Sequence, residues 1–314
     1  KKLKKNKKRN RKTKFKVKEI VLNKISFLFG NENNHISKPI KLISGKIKAS
    51  ELVFINTQLK VNVENFEGTL NNSFMKSINT SALISYKPGF LSMNELRLSS
   101  GPNYLNGNIE LLGSNGNLNN FNSNGNINMI VDDCKIELIS VFPKNKYLND
   151  IPPFRSSFLV NGSFSQLEFE NLKVSNSFLK FFGNLKVKNL LNEEDLKIKI
   201  LTDSLKIKIN ELRKINSMPQ QVSQNLPKIS NLNVKGISTF NSNNFDFDLF
   251  SKNTWGNFST KGMLSLGILN KTNPNKGFEL YGKIKNFDLS RLTNENQKIK
   301  LTTEYNFSGN LKSL

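Results

Sequence analysis

A short phrase, glycine then a small or polar residue, an apolar residue and polar–apolar alternation, recurs along this chain and constrains its fold more than any other feature. It appears as Gly45-Lys-Ile-Lys-Ala49, Gly107-Asn-Ile-Glu-Leu111, Gly125-Asn-Ile-Asn-Met129 and Gly183-Asn-Leu-Lys-Val187. Later copies are Gly236-Ile-Ser-Thr-Phe240, Gly262-Met-Leu-Ser-Leu266, Gly282-Lys-Ile-Lys285 and Gly309-Asn-Leu311. Glycine tolerates the positive φ of a tight turn, and alternation places every second side chain on one face of a strand. The phrase therefore reads as a turn followed by a strand with one apolar and one wet face. Repetition of such a unit builds a long surface, which implies binding or transport before it implies chemistry.

The spacing of the phrase is irregular, so a solenoid with rungs of one length does not fit. A long antiparallel, meandering sheet does. No apolar pattern of helical period persists beyond about ten residues, which excludes an α/β protein with parallel crossovers. The expected fold is mainly β: a long curved, twisted sheet forming an open groove, with a few short helices. The organisation expected is a basic arm over residues 1–18, a first block of strands over 19–150, and a second over 151–314 that continues it. Pro88-Gly89 and Gly101-Pro102 read as turns, and Pro152-Pro153 as the break between blocks. Asp132 to Pro143 reads as a short helix capped by the Asp pair and stopped by Pro143. Asn210–Pro227 reads as a short helix or lid-like loop, and Asp288–Leu292 as one further helical turn.

Of the net charge of +23, twelve positive charges fall before the first acid, Glu19. Lys4, Lys5, Lys7, Lys8, Arg9, Arg11 and Lys12 are the densest part of this arm. Such an arm suits phosphates of nucleic acid or anionic lipid headgroups, or is simply solvated. One cysteine, Cys134, excludes an internal disulfide framework. No stretch approaches the ~18 apolar residues of a membrane span. The chain opens without Met and reads as a segment of something longer.

Catalytic constellations are missing from the pattern. The single histidine, His35, sits in a polar turn and would have to serve any Ser-His-Asp or Cys-His arrangement. The acid groups Asp132-Asp133, Glu193-Glu194-Asp195 and Asp246/Asp248 read as solvent-facing positions, with a weak calcium site as the alternative for the last pair. No phosphate-binding glycine loop and no zinc-binding helix motif occurs. No metal, cofactor, catalytic residue or nucleic-acid partner is expected.

The alternating apolar positions remain. They are Leu59, Val61 and Val63 in the first block, and Leu167, Phe169, Leu196, Ile198, Ile200, Leu205, Ile207, Ile209, Phe245, Phe247 and Leu249 in the second. With hydrophobic content of 37%, the chain has no obvious second layer to cover them. An apolar ligand would meet the same need, since each buried CH₂ of a lipid contributes ~0.8 kcal/mol.

Several stretches resemble the TamB family of AsmA-like envelope proteins. Residues 67–111 resemble its unit of a paired strand followed by an element opening L-x-L-x-S/T. Residues 127–143, with a strand, a polar pair and a stop resembling F-x-P, resemble another recurrent unit. Residues 226–264, continuing through 282–293, resemble the repeat G-x-x-x-G…S-x-x-G-x-x…N-x-x-L-x-x-L. The resemblance implies a taco-like or U-shaped, non-enzymatic β-groove with an apolar interior, working in the periplasm and carrying phospholipid between inner and outer membranes. It also implies anchoring to the inner membrane through a segment not present here. Other parts of such a protein would meet an Omp85-type barrel protein of the outer membrane. Two alternatives stay open: a scaffold that assists outer-membrane β-barrel assembly by offering sheet edges, and a secreted β-solenoid adhesin.

Overall fold

A computed structural model of the 314-residue chain describes residues 14–29, 40–70, 77–118, 121, 125–142, 145, 148–192, 194–215, 230–265, 277–291 and 299–310. Strands make up 77% of these residues and form one 16-stranded antiparallel sheet that does not close into a barrel. In chain order they are β1 (Lys14–Phe29), β2 (Ile40–Ile55), β3 (Gln58–Leu70), β4 (Ser77–Lys87), β5 (Phe90–Ser100), β6 (Asn103–Leu112), β7 (Asn126–Ile136) and β8 (Phe154–Ser163). They continue as β9 (Gln166–Ser175), β10 (Leu179–Lys188), β11 (Lys197–Lys208), β12 (Asn231–Asn241), β13 (Asn244–Asn253), β14 (Gly256–Ser265), β15 (Gly277–Asp288) and β16 (Lys300–Asn310). Spatial order equals chain order, so each strand pairs only with its neighbours in sequence. A β-solenoid would instead stack parallel rungs around a closed interior.

Two four-residue helices, α1 (Leu138–Val141) and α2 (Ile209–Leu212), and two 3₁₀ turns, Ser114–Gly116 and Leu289–Arg291, complete the described elements. The turns expected at Pro88-Gly89 and Gly101-Pro102 link β4 to β5 and β5 to β6. The helix expected from Asp132 is shorter. Asp132 and Asp133 lie in β7, because pairing with β6 and β8 outweighs a local capping signal. Lys14, Lys16 and Lys18 of the expected arm are strand residues of β1. Lys4, Lys5, Lys7, Lys8, Arg9, Arg11, Lys12 and His35 lie outside the described residues, as do residues 216–227 of the expected lid.

The glycine phrase has a different local meaning from the one its spelling suggests. Gly45, Gly107, Gly183, Gly236, Gly262, Gly282 and Gly309 sit inside strands, and of the eight copies only Gly125 precedes one. A Cβ at Gly107 would stand 2.0 Å from the carbonyl oxygen of Ile130, and one at Gly183 2.0 Å from that of Leu201. These glycines are needed because a neighbouring backbone approaches the apolar face too closely for any side chain.

At Gly107 and Gly183 the close approaches coincide with breaks in register, whereas the carbonyl oxygens that a Cβ at Gly236 or Gly282 would meet at 2.1 Å lie across pairings without one. Leu96, which follows a bulge in β5, pairs with Gly107, and the β10–β11 register slips between Phe182 and Gly183. Bulges bend a strand and increase its twist. Glu95 and Asn171 take positive φ at such bulges, where their N–H groups leave the ladder. The Glu95 N–H donates to Asn108 Oδ1 at 2.9 Å, and the Asn171 N–H to Asn184 Oδ1 at 3.0 Å. Asn108 and Asn184 directly follow Gly107 and Gly183. In these two copies the Gly-Asn pair therefore does two jobs: the glycine admits the bend and the asparagine satisfies the amide that the bend releases.

Candidate functional site: an apolar face across sixteen strands

Residues directly opposite one another in an antiparallel pair share a face. Following one such row from strand to strand gives Phe15, Phe54, Leu59, Tyr86, Leu91, Leu111, Ile127 and Gly162. It continues through Leu167, Val187, Ile198, Phe240, Phe245, Leu264, Phe278 and Gly309. Every strand contributes one member, and every member is apolar, aromatic or glycine. At ~4.8 Å per inter-strand step, the row runs for about 70 Å along the hydrogen-bonding direction.

The structure places all the apolar residues singled out in the sequence on or beside this face. Leu59, Val61 and Val63 lie in β3, Leu167 and Phe169 in β9, and Phe245, Phe247 and Leu249 in β13. Ile198, Ile200, Leu205 and Ile207 lie in β11, where a bulge keeps the last two facing the same way. Leu196 precedes β11 and packs with Phe169, Leu185 and Ile198 around Val160, Leu167 and Val187. Ile209 opens α2 and packs with Trp255, Phe258, Phe287 and Leu232. Only Leu167 and Ile209 of the fourteen are buried; the other twelve are half-buried.

Alternation in sequence could not show that two apolar clusters occupy opposite strand ends. One gathers where β8 turns into β9, with Phe121 reaching across so that its ring meets Phe164 edge-on at 6.0 Å. The other gathers at the β13–β14 turn, where Trp255 meets Phe287 edge-on at 5.3 Å and donates its ring N–H to the Asn231 carbonyl at 3.2 Å. Between these ends lie small or buried residues beside the bulges: Ala82, Gly107, Val131, Gly183 and Thr202. No second sheet is stacked on this face among the described residues, and the longest helix there has four residues. The Thr80 hydroxyl, on the same face, is buried without a hydrogen-bond partner among the described residues.

The opposite face is wet. Asp248 pairs with Lys261 at 2.7 Å, Lys48 with Glu64 at 2.9 Å and Lys186 with Glu168 at 3.0 Å, each pair at least partly open to solvent. Hydrogen bonds from Lys48 and Lys186 hold the Glu64 and Glu168 carboxyls below the usual carboxylate range. Asp133 accepts a 2.8 Å hydrogen bond from the Tyr104 hydroxyl, and Asp195 one of 2.8 Å from the Asn192 amide. Among the described residues no group of three or more His, Cys, Asp or Glu side chains is placed to hold a metal ion. Cys134 is buried on the apolar face, and that burial pushes its thiol up, away from the reactive thiolate. No helix among the described residues is long and apolar enough to cross a membrane.

No protein-family model matches the chain, and neither a curated protein nor a solved structure was found to be significantly similar to it.

Proposed function

We propose that the chain is a segment of a lipid-transfer protein whose apolar face carries phospholipid acyl chains along the sheet. The supporting observation is the apolar row that crosses all sixteen strands without a polar interruption and, among the described residues, with no second layer stacked on it. A packed core would need covering elements of matching area, and four-residue helices are too short for that. A dozen methylenes laid on such a face would gain on the order of 10 kcal/mol before the cost of ordering them. The half-burial of Phe245, Phe247 and Ile198 leaves apolar surface for that contact. Operation in the periplasm between two membranes follows from the family resemblance and shares its test.

Photo-crosslinking from Phe247 or Ile198 in the purified chain should label phospholipid, while the same probe at Lys48, on the wet face, should not. Labelling confined to Lys48 would overturn the reading. Crosslinks concentrated along β1 and β16, to unfolded barrel proteins instead of acyl chains, would favour the scaffold. Exposed Phe15 and Val21 on the edge strand β1 and Phe307 on β16 give that alternative its physical basis.

A further inference from the structure

The wet face of β9–β12 is built differently from the rest. Lys188 stands directly opposite Lys197, Lys186 opposite Lys199, and Lys180 opposite Lys206. Like charges in direct opposition destabilise a sheet. Lys173, Lys208 and Lys235 extend the same face, bringing nine lysines against three acids, Glu168, Glu170 and Asp203. Of the ladder's lysines, Lys186 is held by an acid, Glu168, at 3.0 Å. On β13–β16 the same face carries five lysines and five acids, with Lys261 bound to Asp248 and Lys283 to Glu304. Lysine abundance alone would not produce that contrast, since both regions alternate in the same way.

A depression of about 490 Å³ lies within the ladder, edged by Lys186 and Lys199 and by Glu168 and Glu170. Leu201 and Ile237, opposite one another on β11 and β12, lie in it at 39% and 41% exposure. Exposed Phe182 stands on the same face of β10. Apolar side chains set level with a field of flexible cations match the boundary between headgroups and acyl chains. Every cation here is lysine, a point charge on an apolar stem, and none is arginine, whose planar fork suits bidentate phosphate recognition and base stacking.

We propose that the wet face of β9–β12 docks on the surface of an anionic bilayer, with the ladder lysines among the headgroups and Leu201, Ile237 and Phe182 beneath them. This surface lies on the reverse of the apolar face, so its failure would leave the acyl-chain reading standing.

The test is partitioning of the full chain onto phosphatidylcholine vesicles and onto vesicles of equimolar phosphatidylcholine and phosphatidylglycerol. A variant combining Lys188→Gln, Lys197→Gln, Lys199→Gln and Lys206→Gln should lose roughly a hundredfold in affinity for the anionic vesicles, at about fivefold per lysine with incomplete additivity. Lys261→Gln should stay within about twofold of the parent, because that lysine is already paired. A ladder variant that binds like the parent overturns the proposal. So does binding that disappears only with Lys4, Lys5, Lys7 and Lys8→Gln in the arm, or a ladder variant that loses an oligonucleotide while keeping the vesicle. Should the combined variant not fold, the single variants Lys188→Gln and Lys199→Gln carry the same comparison, each about fivefold.

Discussion

Strands β9–β12 and strands β13–β15 share one apolar face but differ in almost everything else. Each of the three pairings within β9–β12 contains a register shift, whereas β13–β14 and β14–β15 run without one. The first region opposes lysine to lysine, while the second opposes lysine to acid. The sheet persists through both, so its continuity does not depend on wet-face charge or on regular register. It depends on backbone pairing and on the apolar row, the two things the regions have in common. The wet face is thereby free to vary for other purposes.

The largest effect is expected at two glycines, one from each region. A Cβ at Gly183 meets the Leu201 backbone oxygen at 2.0 Å, whereas one at Gly262 meets nothing closer than 2.6 Å and there faces a movable leucine methyl as well as the Glu279 oxygen. Gly183→Ala should cost about 3 kcal/mol and Gly262→Ala about 1 kcal/mol, the range over which overpacking is felt. Denaturant unfolding of the two variants measures this, and equal costs would remove the bend as the reason for Gly183.

A smaller effect is expected from the amide that the bulge releases. Asn184→Ala should cost about 1 kcal/mol and speed hydrogen exchange at the Asn171 amide. Asn257→Ala, on the wet face of the regular region, should change stability by much less. The charge contrast predicts opposite signs: Lys199→Gln should raise the melting temperature slightly, and Lys261→Gln should lower it slightly.

Acid should weaken the ion pair that joins Lys283 of β15 to Glu304 of β16. The Glu304 carboxyl is held below its usual range by the hydrogen bond and charge of Lys283. A depressed folded pKa stabilises above the unfolded value of ~4.3, and that contribution is lost as pH falls through the depressed value. The melting gap between the parent chain and Glu304→Gln should therefore be open at neutral pH and close in acid. A gap that persists in acid would locate the effect elsewhere than in the ion pair.

The fold class was legible because alternation with period two leaves few alternatives, and Leu59-Lys-Val-Asn-Val63 or Phe245-Asp-Phe-Asp-Leu249 admit little else. The apolar face was legible for the same reason. The bend was not. Glycine permits both positive φ and close approach, and the spelling of one strand does not say which is being used. A usable signal crosses strands: Asn108 and Asn184 each lie 13 residues after the positive-φ bulge residue whose amide they accept. The Asp132-Asp133 pair misled for a related reason, because a capping pattern is local whereas the pairing of β7 with two neighbours is not. The lysine ladder was equally hidden, since the opposition of Lys188 to Lys197 exists only once register is known.

A sheet whose spatial order equals its chain order also has a consequence for how the molecule comes into being. Each new strand needs only the strand made before it, so the fold can be laid down from one end as the chain emerges. No step waits for a distant partner, and loop-closure cost stays small at every addition. Growth by such increments gives a protein whose span is set by how many hairpins it contains, and a hairpin added or removed would lengthen or shorten it without redesign of the rest.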